Sequence, residues 1–179
     1  MPLSEKQRGV LDGMLLGLAI SVIALASAIL AMPAGAPSSP DIPARLAAAL
    51  RWDFLVIACL AGGIALIARH RFVTPEDIEG SGMSAGSDRV RHYQACLQNT
   101  LEQVVLAVCT HGLWAVAMPP RWQGAVAVAA VLFLLGRILF WRGYARGAPA
   151  RALGFALTFY PSLLMLLAIG LGLALGLGR

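Results

Sequence analysis

The chain has 179 residues and a net charge of +5, with 59% of residues from the set AVILMFWYC, nineteen glycines and only 13% charged side chains. Soluble domains carry about 25% charged residues. A chain this small has too much surface for so few charges to cover, so a soluble monomer, a disordered chain and a secreted disulfide scaffold are all excluded. What remains is an integral membrane protein, whose basic excess marks helix ends and not a nucleic-acid partner.

Residues 10–32, 46–68, 93–118, 122–141 and 152–177 each meet the roughly 20-residue requirement for a spanning helix. None alternates as a barrel strand must, so the fold class is an all-α membrane bundle. The first segment follows Lys6 and Arg8 and precedes a small-residue stretch at Ala34-Gly35-Ala36. It reads as a retained helix, because its apolar run exceeds the roughly 7–15 residues of a signal peptide and Asp12 interrupts its start. Gly9, Gly13, Gly17 and Ser21 recur every four residues, a face suited to close helix packing. A Pro-rich external loop follows at 33–43. The second segment carries Asp53 near its outer end, with Arg51 or the loop as its expected partner, and 69–92 forms the longest polar loop.

The third segment is the most polar. Arg91, Gln94, Ala95, Gln98, Asn99 and Glu102 recur at intervals of three or four and form one stripe. His111 lies deeper in the same segment and is expected to be hydrogen-bonded inside the bundle. Pro119-Pro120 makes a short link, so the third and fourth helices form a hairpin. On the fourth, Arg137, Trp141 and Tyr144 share a face, and Arg142, Arg146 and Arg151 follow. Trp52, Trp114 and Trp122 fall near predicted outer interfaces and read as an aromatic belt. Cys59, Cys96 and Cys109 fit no metal spacing and read as buried thiols, so no metal site is expected.

With the N-terminus inside, nine basic residues are cytoplasmic (Lys6, Arg8, Arg69, Arg71, Arg89, Arg91, Arg142, Arg146, Arg151). Four are external (Arg45, Arg51, Arg121, Arg179). The positive-inside rule therefore puts the N-terminus in the cytoplasm and the C-terminus outside, with a bacterial inner membrane as the expected location. Ionisable residues within spans are costly and mark functional sites by default. The two polar clusters describe an Arg-rich cavity opening to the cytoplasm, suited to a zwitterionic ligand with more than one carboxylate. The alternative is that Glu102 and Arg137 neutralise each other and hold the bundle together.

Gln98-Asn99-Thr100-Leu101-Glu102 resembles the NxxE signature on the second helix of the MAPEG family, the membrane-associated proteins in eicosanoid and glutathione metabolism. The stretch from Phe72 to Asp77, followed by Asp88-Arg89-Val90, resembles the cytosolic loop of microsomal glutathione transferases. The stretch from Gly136 to Arg146, with Arg151 five residues on, is similar to the third-helix end of leukotriene C synthase and its relatives. The resemblance implies a four-helix domain at 46–179, preceded at 1–45 by an extra transmembrane helix on the outside of the assembly and the external loop. It further implies a homotrimer in membrane lipid, binding glutathione as co-substrate between subunits. Arg91, Gln98, Asn99, Glu102, Arg137 and Tyr144 would bind the tripeptide, and Arg151 would hold its thiol as thiolate. The chain departs from the family pattern at Gln94, Ala95, Leu97 and Phe140. The implied activity is conjugation of glutathione to a small lipophilic electrophile, with peroxidase chemistry beside it. The alternative is a non-enzymatic lipid-binding protein of the same fold. A transporter would need broken helices or an inverted repeat, which the sequence lacks.

Overall fold

The computed structural model describes residues 2–31, 41–80, 83 and 86–176. The segment at Ala34–Ala36, most of the external loop and Arg179 lie outside them. Five helices follow one another: α1 (Glu5–Leu30), α2 (Ile42–Val73), α3 (Asp88–Ala117), α4 (Gly124–Tyr144) and α5 (Ala148–Ala174). All five are long and apolar enough to cross a membrane, and the described residues contain no strand. The fold is an all-α membrane bundle.

At one end of the bundle every helix runs three to five residues beyond its apolar stretch. This is the end where α1, α3 and α5 begin and where α2 and α4 finish. A helix satisfies its own backbone groups whatever its side chains, so Arg-rich turns continue it into water. The starts are marked locally. Ser4 caps α1 in a reciprocal box with Gln7, and Ser87 accepts from the Val90 amide at the start of α3. Proline occupies the first turns of α2 and α5, where its missing N–H costs nothing.

Packing follows the glycines. A Cβ at Gly9, Gly13 or Gly17 would collide with Pro149, Ala152 or Ala156, so the small-residue face of α1 lies directly on α5. Gly136 and Gly154 likewise bring α4 against α5, a Cβ at Gly136 meeting the Gly154 carbonyl oxygen at 2.8 Å. One apolar core gathers Leu25, Ala49, Trp114, Met165 and Ile169. A second gathers Val56, Val104, Ala130 and Phe133.

Three sequence expectations are corrected here. Trp114 is buried and donates from Nε1 to the Trp122 carbonyl at 3.0 Å, so it belongs to the core and not to an interfacial belt. Asp53 pairs across helices with His111 Nδ1, at 2.5 Å, and not with Arg51. Its position on the inner face of α2 decides this, because both side chains are buried where α2 and α3 meet. Arg45 is also buried and donates to the Met118 carbonyl, closing the end of α3. Of the three thiols only Cys96 is buried, while Cys59 is half-buried and Cys109 exposed.

The loop between α2 and α3 is held by one carboxylate. Asp77, buried, accepts from the Ser87 amide (2.7 Å), the Ser87 hydroxyl (2.6 Å) and His70 Nε2 (2.9 Å). The Ser87 hydroxyl and amide, with help from His70, hold its carboxyl below the ordinary Asp value against the opposing effect of burial.

Candidate functional site

At the Arg-rich end, α1, α3, α4 and α5 enclose a cavity of about 400 Å³. Its walls include Asn99 from α3, Phe140 and Tyr144 from α4, and Arg151 and Phe155 from α5. Val10 and Met14 of α1 complete it, so the first helix is part of the site.

The α4–α5 reversal sets the geometry. Arg146 and Gly147 fold back onto the carbonyls of Gly143 and Tyr144, and Gly147 takes φ +99°, open in practice only to glycine. Gly143 packs on the Ala150 backbone with no room for a Cβ. Arg151, in the first turn of α5, therefore returns over the last turn of α4. Its guanidinium carbon lies 4.1 Å from the centre of the Tyr144 ring. That ring also meets His92 edge-on at 4.5 Å and Phe140 at 5.3 Å. The cation is thus held at a helix N-terminus, where backbone N–H groups also favour an anion.

Arg137 lies deeper, only 2% exposed. It donates to Asn99 Oδ1 at 3.0 Å and to Thr158 Oγ1 at 2.6 Å, and its guanidinium sits 4.4 Å above the Phe140 ring. Its Nε has no partner, and among the described residues it forms no ion pair. The Glu102–Arg137 pair considered above is therefore not formed. Glu102 is exposed on the outward face of α3 and accepts from Gln98 Nε2 at 3.0 Å. Gln98, with Gln94 and Leu97, lines a separate groove toward α2.

The seven site residues named from sequence divide accordingly. Asn99, Arg137, Tyr144 and Arg151 form one connected cluster. Gln98 and Glu102 face outward from the same helix. Arg91 stands at the bundle end, bonded to Asp88 and to the Gly86 carbonyl. Thr158, Phe155, Val10 and Met14 were not named in advance. Thr158 had a signal, since it follows Arg151 by seven residues and so shares its face of α5. Val10 and Met14 had one too, each directly following a glycine of the α1 packing face.

The cluster offers a guanidinium at a helix start, an amide fixed by a second guanidinium, and an aromatic wall. This is the equipment to bind a polyanionic polar molecule and favour ionisation of an acidic group on it. No curated protein and no solved structure matches the chain. The MAPEG family model matches residues 14–171, from within α1 to the last turns of α5. The chain is a member of the MAPEG family.

Proposed function

We propose that this chain is a membrane-bound glutathione transferase that joins glutathione to a lipophilic electrophile at the Arg-rich end of the bundle. The observation that carries this reading is Arg151, stacked on Tyr144 and sharing a cavity with Asn99. A thiolate is the nucleophile, and a neighbouring guanidinium at a helix N-terminus favours it over the thiol. The thiol proton leaves to water at the open end of the bundle. The thiolate sulfur then forms a bond to the electrophilic carbon as that carbon's bond to its leaving group breaks. Arg137 acts on the bound tripeptide mainly through Asn99, whose amide oxygen it holds, leaving the amide N–H₂ to donate to a ligand carboxylate. The same thiolate could reduce a lipid hydroperoxide, the peroxidase chemistry expected beside conjugation.

A homotrimer suits the remaining polar residues. Glu102 and Gln98 face outward in the middle of α3, where a neighbouring copy would cover them and bring Glu102 to the ligand's ammonium group. The nine Lys and Arg residues gathered at one end support a cytoplasmic position for that end and for the N-terminus, in an inner-membrane protein.

The test is the thiolate ultraviolet absorbance of glutathione bound to purified protein, together with conjugation of chlorodinitrobenzene. Wild type should show both, and Arg151→Ala should lose the absorbance and about a hundredfold in kcat. Absence of both in wild type would sink the proposal. Lipid binding that is indifferent to Arg151→Ala would favour the non-enzymatic reading.

A further inference from the structure

We propose that α1 carries a second subsite, a groove that holds the apolar chain of the lipophilic co-substrate and delivers its reactive end to the thiol. The inference rests on the reading above for what it delivers, but the groove itself is a feature of α1. A groove of about 390 Å³ runs along the start of this helix between Leu3 and Met14, with Leu11 in its wall and Lys6 and Gln7 at its rim. It shares Val10, Met14 and Ala148 with the cavity that holds Arg151, Tyr144 and Asn99. The two spaces are therefore neighbours across three small or flexible side chains.

Their chemistry differs in the way two subsites should. The inner cavity has a guanidinium, an amide and a phenol in its wall. The outer groove is lined mostly by leucine, valine, methionine and alanine, with Lys6 and Gln7 as its polar residues. From Lys6 to Met14 the helix rises about 12 Å, enough for an extended alkyl chain. A chain lying there packs its methylenes against the apolar side chains of α1. Its inner end meets Met14 at the edge of the thiol cavity, and its polar end emerges beside Lys6, the only lysine in the protein. The glycine face of α1 makes this possible. Gly9 and Gly13 seat the helix on Pro149 and Ala152 of α5, which turns the adjacent Val10 and Met14 toward Arg151. The first helix would then select the acceptor.

The experiment uses the full-length protein in lipid nanodiscs and the variant Leu11→Trp, which fills the outer groove without touching the inner cavity. Leu11 is 40% exposed, so the larger side chain leaves the fold intact. A palmitate probe carrying a diazirine and an alkyne is photolysed on the protein and the labelled peptides are mapped. Labelling should concentrate on the start of α1 and the facing turn of α5, and fall about tenfold in Leu11→Trp. With glutathione, the same variant should raise KM for 9,10-epoxystearate, whose ring C–O bond breaks as the C–S bond forms, about tenfold and leave KM for chlorodinitrobenzene and for glutathione unchanged.

Equal labelling of both proteins, or labelling confined to other helices, overturns the groove. So does a phospholipid that co-purifies in it and resists displacement by palmitate, which would make it a structural lipid seat. If labelling follows the expected pattern but wild type turns over neither acceptor, the groove stands as a lipid site, and its delivery role falls with the transferase reading.

Discussion

Asp77 shows how one side chain can fix the framework of a site it does not touch. It ties His70, at the end of α2, to Ser87, the cap of α3, and so sets where the helix bearing His92 and Asn99 begins. Its carboxyl is held below the ordinary value of about 4 by the Ser87 hydroxyl first, then the Ser87 amide and His70. A depressed folded pKa contributes stability that is fully present above the unfolded value and lost as pH falls through the folded one. The Asp77 contribution should therefore be constant from neutrality to about pH 5 and fade only below the ordinary carboxylate range. Asp77→Ala removes three acceptor contacts, to the Ser87 amide, the Ser87 hydroxyl and His70. Trypsin should then cut around Arg71 and Arg89 at least tenfold faster than in wild type at neutral pH. Unchanged cleavage would mean that the loop is held by something else. At this scale the sequence was partly legible. Asn99, Arg137 and Tyr144 could be placed by their spacing on polar helix faces, while Arg151 was singled out from its neighbouring arginines only by the resemblance to the MAPEG family. The partners of Asp53 and Asp77 could not, since each lies on another helix or across a loop, and no local spacing encodes such a meeting.

The helices themselves were legible because lipid allows few alternatives to a continuous apolar helix. Their ends were not, since hydropathy falls at the water interface while the backbone ladder runs on. The glycine face of α1 was also visible, although only the structure gives its partner, the Pro149–Ala152–Ala156 side of α5. That contact leaves little tolerance. A Cβ at Gly17 would overlap the Ala156 methyl, so Gly17→Leu should push α1 from α5. Overpacking of this kind costs about 1–3 kcal/mol, which in a chain of this size lowers Tm by roughly 2–12 °C. Gly170, also on α5, has nothing within 4 Å of an added Cβ. Gly170→Ala should leave Tm unchanged or raise it slightly. A thermal scan of both variants in detergent separates a packing glycine from a merely frequent one, and equal Tm values would show that α1 is not clamped as described.

At the scale of the whole molecule, the side chains left exposed indicate what must cover them. Glu102 lies inside the apolar stretch 93–118, in the half nearer the Arg-rich end. A charged side chain facing lipid there costs up to about 3 kcal/mol. Glu102 is exposed, with Gln98 as its hydrogen-bond partner. The exposed positions of α3 continue from Gln98 through Leu101, Glu102 and Val105 to Cys109 and Leu113, one stripe along the helix. If copies of the chain meet along that stripe, as in the proposed trimer, Glu102 leaves the lipid and Cys109 of one copy approaches Cys109 of the next. Mild oxidation of wild-type membranes should then give a disulfide-linked dimer band that vanishes on reduction and is absent from Cys109→Ser. Cys96 and Cys59 supply the internal control, since the first is buried and the second faces the groove between α2 and α4. A band that persists in Cys109→Ser would place the contact on another helix. A chain that stays monomeric and uncrosslinked in native membranes would mean that Glu102 faces lipid. The conjugation assay in that monomer would then show whether α1, already in the wall of the cavity, can close the site without a neighbour.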